Sequence, residues 1–178
     1  MKNTYALITG ASSGIGLEIA YKLAEKGYGI ILTARREERL IAYTNEIKDK
    51  FGVNVDFVTG DLALPETPQN IYNFCKDKNY SVEVLVNNAG YGIPSQFHKT
   101  SMEDEEKSIR VLSTSVIALS KAFIPDMLEN QSGKIMIISS VASFTPPSTI
   151  QVLYGPLKTF MNRFSDALNV NYKHKGIS

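Results

Sequence analysis

Residues 5–16 read Tyr5-Ala-Leu-Ile-Thr-Gly10-Ala-Ser-Ser-Gly14-Ile-Gly16. The apolar run at the start is typical of a buried strand, and the glycines that follow mark a turn into a helix. Glycine allows the tight turn and lets a pyrophosphate approach the backbone, while the helix N-terminus adds free N–H groups and a partial positive charge. The stretch therefore predicts a dinucleotide cradle formed by Gly10, Ser12, Ser13, Gly14, Ile15 and Gly16. The alternative is a glycine-rich turn without a ligand.

Strand-like and helix-like segments alternate along the chain. Further strands are predicted over residues 29–34, 54–59, 82–87 and 134–139, and helices over 14–25, 36–50, 66–79, 101–129 and from the last strand to about 175. Pro125 is a candidate break in the long helix. Continuous apolar strands indicate burial on both faces, hence a parallel sheet with helices on each side. With right-handed crossovers, the expected fold class is α/β, a three-layer, doubly wound, Rossmann-like sheet of order 3-2-1-4-5, in one domain over residues 1–178.

Positions near the two ends carry more specific expectations. Ile15, Ile19 and Leu23 fall on one face of the first helix. Gly176 looks like a helix stop, so residues 177–178 are the expected start of another strand. In the order above, the apolar fifth strand is an exposed edge, which invites pairing with other chains. We therefore expect the fold to be truncated at the C-terminus, or another structure to cover this edge.

The composition argues against several classes of protein. Lys and Arg number 19 against 18 Asp and Glu, so no basic field indicates nucleic acid. Cys75 is the one cysteine, which rules out an internal disulfide and a cysteine-cluster metal site. His98 and His174 lack metal-ligand partners, so no metal is assigned. No signal-peptide core and no apolar stretch of membrane-spanning length are apparent, which predicts a cytoplasmic protein without membrane association.

The end of the second strand is where dinucleotide-binding folds select their cofactor, by an acid for NAD or an arginine for the 2′-phosphate of NADP. Here the chain reads Thr33-Ala-Arg35-Arg36, without an acid. Because bidentate guanidinium contacts suit a phosphate, we expect a preference for NADP(H), with NAD(H) as the second option. Alternatively, both arginines are solvated charges that open a helix.

Two more segments follow strands at the carboxyl edge of the predicted sheet, where ligands bind. The Asp61 carboxylate, next to Leu62, can accept from an adenine amino group or form a turn with Gly60. Residues 87–90, Asn-Asn-Ala-Gly, end the fourth strand, and asparagine is also a common turn residue. Without the other motifs, both segments would be taken as structural.

The segment Tyr154-Gly-Pro-Leu-Lys158 suggests proton-transfer chemistry. The i, i+4 spacing puts both side chains on one helical face. An unperturbed tyrosine has a pKa of about 10, too high for easy proton exchange at neutral pH, and a nearby ammonium favours the phenolate. Such a tyrosine can protonate a developing alkoxide during hydride delivery from a nicotinamide, or deprotonate an alcohol in reverse. Ser139 and Ser140 offer a hydroxyl for the substrate oxygen, and Ser140 is our choice. If this segment is considered alone, an exposed Tyr–Lys pair without a function is the favoured interpretation over a catalytic pair.

In combination these segments resemble the short-chain dehydrogenase/reductase family over essentially the whole chain. The matching motifs are Thr9-Gly10-x3-Gly14-Ile15-Gly16, Asp61-Leu62, Asn87-Asn88-Ala89-Gly90, Ile138-Ser139-Ser140 and Tyr154-x3-Lys158. The resemblance implies that Ser140 polarises a carbonyl, that Tyr154 is the acid/base, and that Lys158 lowers the tyrosine pKa and binds the nicotinamide ribose. It also places Asp61 and Leu62 near the adenine, and Asn87, Ala89 and Gly90 beside the cofactor ribose. Association into a homodimer or homotetramer through the two long helices is a further implication.

The chain also departs from the family pattern. Many members have an asparagine in the long helix that orders a proton-relay water, and here that position falls on Leu112, with Ser113 beside it. Pro156 lies between the tyrosine and the lysine, so the helix either begins close to Tyr154 or kinks there. The loop from Ser140 to Tyr154 is about one residue longer than usual, and two further strands and a substrate-binding segment are absent.

Three hypotheses follow. The leading one is an NADP(H)-dependent oxidoreductase that transfers hydride between nicotinamide and a ketone, aldehyde or secondary alcohol. The alternative is an NADP-binding protein with weak or no catalysis, which Leu112 and the missing C-terminal part favour. A third possibility is an interaction module that uses the exposed sheet edge.

Overall fold

The computed structural model describes residues 4–178, so residues 1–3 of the predicted domain lie outside the described part. Its central feature is a parallel sheet of five strands, β1 (Thr4–Thr9), β2 (Gly29–Ala34), β3 (Val55–Thr59), β4 (Ser81–Asn87) and β5 (Lys134–Ile137). The strand order is β3-β2-β1-β4-β5, which confirms the predicted topology. Ile8 of β1 pairs with Leu32 on one side and with Val86 on the other. The carboxyl ends of β1, β2 and β4 therefore meet at one edge.

Helices cover both faces of the sheet, which confirms the predicted three layers. They are α1 (Gly14–Glu25), α2 (Glu37–Phe51), α3 (Thr67–Asp77), α4 (Met102–Ile109), α5 (Ser115–Glu129) and α6 (Tyr154–Tyr172). Alternate residues of β1 enter different cores. Ile8 packs in one core with Leu40 of α2, whereas Leu7 packs in the other with Phe123 of α5. This alternation follows from the period of two along a strand.

The predicted apolar face of α1 meets the core only in part. Ile15 is 62% exposed, and the residues that face the sheet are Gly16, Leu17, Ala20 and Ala24. Small side chains let the helix axis approach the sheet closely, so that the larger Ile15 stays at the rim. Of the predicted face, Ile19 and Leu23 pack against the core beside these residues, whereas Ile15 does not.

One long helix, Met102–Glu129, contains α4 and α5 joined by a π-helical turn, Arg110–Thr114. The predicted break at Pro125 does not occur, because this residue lies on the exposed side of α5. By length and composition the helix could cross a membrane, contrary to the expectation from the sequence. Half of its most apolar stretch is buried inside the protein.

Helix α6 starts at Tyr154, so Pro156 lies in its first turn, where a missing N–H leaves no hydrogen bond unmade. Of the two alternatives that Pro156 left open, the helix therefore begins close to Tyr154 and does not kink there. After α6, Gly176 adopts a left-handed backbone, and Ile177 forms a parallel bridge with Gly133 beside β5. The C-terminal residues therefore pair with the sheet edge, as predicted. Met136 of β5 remains 45% exposed at that edge.

Candidate active site

The ends of β1 and β4 are tied together by Thr9. Its buried hydroxyl donates to the Val86 carbonyl at 3.2 Å and accepts from the backbone N–H groups of Asn88 and Ala89 at 2.9 and 3.0 Å. The Asn88 side-chain amide donates in turn to the Thr9 carbonyl at 2.9 Å. These bonds fix residues 88–90 against the glycine turn. Neither Thr9 nor Asn88 was assigned a role from the sequence, although both belong to the quoted motifs.

Glycine is required at two points of the turn because Asn88 and Ala89 lie so close. A Cβ on Gly10, whose φ is +66°, would lie 2.9 Å from the Ala89 Cα. A Cβ on Gly16 would overlap the Asn88 amide and lie 2.7 Å from the Gly10 carbonyl oxygen. Ser13 precedes α1 with an extended backbone and makes no side-chain cap, and no acid stands in the first turn. The first N–H groups of α1 are therefore available to an anion.

Both arginines at the end of β2 lie beside this turn. Arg36 donates to the Ser12 hydroxyl at 2.9 Å and to the Ser13 hydroxyl at 3.3 Å. The Arg35 side chain is 70% exposed and lies 4.0 Å from the Asp61 carboxylate. Asp61 also accepts from the Ala63 N–H at 3.0 Å, so its carboxylate forms a turn with the residues that follow it and not with Gly60, as the alternative from the sequence had it.

A cavity of about 420 Å³ runs from the arginines to the start of α6. Most of the residues predicted for cofactor binding and catalysis line it, namely Gly10, Ser12, Ser13, Ile15, Arg35, Arg36, Asp61, Leu62, Ala89, Gly90, Tyr154 and Lys158. Within the described part of the chain, the cavity is not lined by the four remaining predicted residues, Gly14, Gly16, Asn87 and Ser140. The cavity also includes Ser139, the candidate serine that was not chosen from the sequence. Tyr91 and Lys107 line it too and were not predicted; Tyr91 directly follows the Asn-Asn-Ala-Gly motif, whereas nothing in the sequence distinguishes Lys107.

Tyr154 and Lys158 lie side by side on the cavity wall. The Lys158 ammonium is 5.7 Å from the centre of the Tyr154 ring and donates to the Ile138 carbonyl at 2.7 Å. The Lys158 residue is only 3% exposed, and this burial lowers the pKa of its ammonium. The predicted helical pairing of Tyr154 and Lys158 is therefore present.

The two serines after β5 have different roles in the structure. The Ser139 hydroxyl donates to the backbone carbonyl of Lys158 at 3.1 Å and lines the cavity. The Ser140 hydroxyl accepts from the Ala142 N–H at 3.2 Å, where it caps the short helical turn Val141–Ser143. Its O–H proton is left free to bond a ligand, because capping uses only an acceptor position.

The π-helical turn brings Leu112 to the site. Leu112 is fully buried, and its Cδ2 would lie 2.7 Å from a Cβ on Gly90, while the Lys158 ammonium lies 3.6 Å from the same point. The Ser113 hydroxyl instead donates to the Ile109 carbonyl in its own helix at 2.6 Å. Thus an apolar side chain, and not a hydroxyl, stands next to Gly90 and Lys158.

The residues present fit a phosphorylated dinucleotide. The uncapped helix start and the bare glycine backbone suit a pyrophosphate, and the arginine pair suits a further phosphate. The Asn87 amide nitrogen is buried without a hydrogen-bond partner in the described part of the chain. No group of three or more His, Cys, Asp or Glu side chains that could hold a metal ion occurs within residues 4–178.

Comparisons with known proteins agree with this geometry. The family model described as short chain dehydrogenase matches residues 4–178. A very-long-chain 3-oxoacyl-CoA reductase from Anas platyrhynchos is 34% identical over 179 residues, which cover 97% of this chain and 56% of that protein. The chain thus spans about half the length of the curated relatives it matches.

Two solved structures show the same fold. A short-chain dehydrogenase from Sphingobium yanoikuyae in complex with NADPH superposes with a TM-score of 0.91 at 32% identity, covering 98% of this chain and 67% of that one. A bulky-bulky ketone specific alcohol dehydrogenase from Comamonas testosteroni gives a TM-score of 0.91 at 29% identity, with 98% and 69% covered.

Proposed function

Because the chain belongs to the short-chain dehydrogenase family, we propose that it is an NADP(H)-dependent oxidoreductase acting on ketones, aldehydes or secondary alcohols. The single observation that carries the proposal is the shared cavity, in which Tyr154 and Lys158 face the glycine turn and the arginine pair. Relatives and neighbours that reduce an oxo group or carry NADPH support it.

The cofactor would be held by the glycine turn and the start of α1, with Arg35 and Arg36 on its 2′-phosphate. When bound, the nicotinamide supplies or accepts the hydride. Asp61 and Leu62 would border the adenine, and Asn87, Ala89 and Gly90 the ribose. The choice of NADP(H) over NAD(H) rests on the two arginines and on the lack of an acid at the end of β2.

Tyr154 is the proposed acid/base. Its phenol donates a proton to the oxygen of a carbonyl as negative charge develops there, or removes one from an alcohol in reverse. The Lys158 ammonium, 5.7 Å from the centre of the ring, would stabilise the resulting phenolate by its positive charge. The Ser140 hydroxyl would hold the same substrate oxygen, a role that rests on the family resemblance, since Ser140 itself does not line the cavity; its proton is free once the Ala142 N–H has been accepted.

The direct test is NADPH oxidation by the full-length protein with a panel of carbonyl compounds. Tyr154→Phe should lower kcat by about 100-fold or more, in line with the usual contribution of a general acid, while NADPH affinity stays unchanged. Tyr43→Phe, which alters a tyrosine on α2 outside the cavity, is the matched control. Equal turnover by wild type and Tyr154→Phe would rule out the acid/base role.

A second candidate function is NADP binding with little catalysis, and Leu112 is the observation that favours it. A leucine beside Gly90 and Lys158 cannot hold a water for proton relay. Calorimetry that detects NADPH binding, with no turnover on the broad panel, would support this candidate. Detectable turnover of any carbonyl compound on the panel would exclude this second candidate function.

We also propose a homodimer or homotetramer formed through α5 and α6. Ile117 of α5 and Phe160 of α6 are each 38% exposed, and Phe160 stacks on Phe164 with ring centres 5.8 Å apart. Light scattering that finds a stable monomer would contradict this assembly. A cytoplasmic location stays a prediction, which fluorescence microscopy of a tagged protein tests.

A further inference from the structure

The Ser140 turn, residues 140–143, ends in a serine whose hydroxyl makes two hydrogen bonds. The Ser143 hydroxyl donates to the Ser140 carbonyl at 2.6 Å and accepts from the side-chain amide of Asn162, on α6, at 2.8 Å. The same Ser140 carbonyl also accepts from the Ser143 backbone N–H at 3.1 Å. Both acceptor positions of this carbonyl are therefore used, which fixes the peptide plane between Ser140 and Val141.

The fixed peptide plane determines where the Ser140 side chain points. The next N–H along the chain, that of Ala142, donates to the Ser140 hydroxyl oxygen at 3.2 Å. Because the plane and this bond together leave the side chain one orientation, the free hydroxyl proton is directed as well. The bond from Asn162 to Ser143 therefore acts on the direction of the Ser140 hydroxyl without touching it.

Three residues of α6 contact the Ser140 turn, and their spacing of i, i+4 and i+7 puts them on one stripe of the helix. They are Gly155, Thr159 and Asn162. The Thr159 hydroxyl donates to the Ser143 carbonyl at 3.3 Å but also to the Gly155 carbonyl in its own helix at 3.0 Å. A Cβ added to Gly155 would lie only 3.1 Å from the Ala142 carbonyl oxygen, so the helix and the turn are in close contact. Of the three side chains, that of Asn162 alone bonds the Ser143 hydroxyl.

The neighbouring stripe of α6 carries Tyr154 and Lys158, which line the cavity. One helix therefore holds the proposed acid/base on one stripe and the Ser140 turn on the next. Two groups that act on the same substrate oxygen must keep a fixed separation, because a displacement of about 1 Å can lower a rate about 100-fold.

We propose that Asn162 is a positioning residue, which acts through Ser143 to hold the Ser140 hydroxyl in place relative to Tyr154. This role rests on the proposed function, and in particular on the proposed role of Ser140. A hydroxyl that stabilises charge developing on the substrate oxygen contributes mainly in the transition state. Loss of the Asn162 amide should therefore appear in kcat, with KM and NADPH affinity nearly unchanged.

The test uses the full-length protein with NADPH and a carbonyl compound that it reduces. Asn162→Leu should lower kcat about tenfold and change KM, and NADPH affinity by calorimetry, less than about twofold. Asn171→Leu is the matched control and should keep the wild-type kcat, since the Asn171 amide donates to the Ala167 carbonyl within α6. Ser143→Ala should lower kcat like Asn162→Leu, whereas Ser143→Thr, which keeps the hydroxyl, should restore it.

The same Asn162→Leu change in a Ser140→Ala background separates positioning from a purely structural role. If Asn162 acts through Ser140, kcat should fall less than about twofold further there. A further tenfold fall in that background would overturn the inference, and so would a wild-type kcat in Asn162→Leu or equal kcat values in Ser143→Ala and Ser143→Thr. A wild type without turnover of any carbonyl compound would instead refute the proposed function, and this inference with it.

Discussion

Thr9→Val should be strongly destabilising although valine has nearly the same shape as threonine. The Thr9 residue is 1% exposed, and its hydroxyl uses its one donor and both acceptor positions, on Val86, Asn88 and Ala89. Three hydrogen bonds at about 1 kcal/mol each give an upper figure of about 3 kcal/mol. Because Asn88 and Ala89 are only partly buried, water can reach their N–H groups, and we expect a loss of about 2 kcal/mol.

Thr44→Val provides a matched control with the opposite expected sign. The Thr44 residue of α2 is 5% exposed, and its hydroxyl oxygen is buried with no hydrogen-bond partner within residues 4–178. Removing an unsatisfied hydroxyl should stabilise the protein by about 1 kcal/mol, and the helix propensities of threonine and valine are similar. The same chemical change should therefore act in opposite directions at two buried sites.

Urea unfolding followed by circular dichroism measures both variants, with Thr9→Ser as a third. Serine keeps the hydroxyl and loses one methyl group, for an expected cost of about 1 kcal/mol. A Thr9→Val variant that loses less than about 0.5 kcal/mol, the range of ordinary surface substitutions, would refute the reasoning. So would a Thr44→Val variant that is destabilised as much as Thr9→Val.

Three further predictions concern the cavity. Arg35→Asp should weaken NADPH binding about tenfold and NADH binding much less, whereas Arg39→Asp, the same change outside the cavity, should alter neither affinity. Calorimetry measures both affinities, and an unchanged preference for NADPH over NADH in Arg35→Asp would place the cofactor specificity elsewhere. Ser140→Ala should lower kcat about 100-fold in steady-state assays, and Ser139→Ala should lower it far less. A larger loss in Ser139→Ala would assign the substrate oxygen to Ser139 instead. Because burial lowers the pKa of Lys158, the folded protein binds fewer protons than the unfolded chain between that pKa and 10.5, so stability rises with pH there. Lys158→Met should abolish this rise when the free energy of unfolding is measured in urea at several alkaline pH values. The same dependence of stability on pH in wild type and Lys158→Met would contradict the prediction.

Local sequence patterns predicted much of the fold because its main signals are local. Apolar runs bounded by glycine set β1 and β2, and i, i+4 spacing put Tyr154 and Lys158 on one face of α6. The predicted helix break at Pro125 was wrong because a lost backbone hydrogen bond is tolerated on the exposed side of a helix. The sequence does not show which side is exposed. Ile19 and Leu23 pack against the core as their spacing predicts, whereas Ile15 of the same face is exposed because it lies in the first turn of α1, at the cavity.

The site was less predictable where it depends on contacts between distant segments. The Thr9 hydroxyl binds backbone groups about 80 positions along the chain, and no local pattern reports such a pairing. Lys107 reaches the cavity only through the path of α4, and the left-handed conformation of Gln151 follows from its neighbours rather than from its own preference. Ser139 and Ser140 are identical in type, so only the direction of each hydroxyl distinguishes them.

The π-helical turn Arg110–Thr114 has a consequence for insertions and deletions. A π-helical turn holds one residue more than a regular α-helical turn, and each residue of an α-helix turns it by about 100°. Removing a single residue from this turn would therefore let it close as an ordinary α-helical turn, in which four residues complete nearly the rotation that five complete here. Lys107 of α4 would keep facing the cavity, and the core contacts of α5 would stay in place. A change of one residue in the length of this helix is thus absorbed within a single turn.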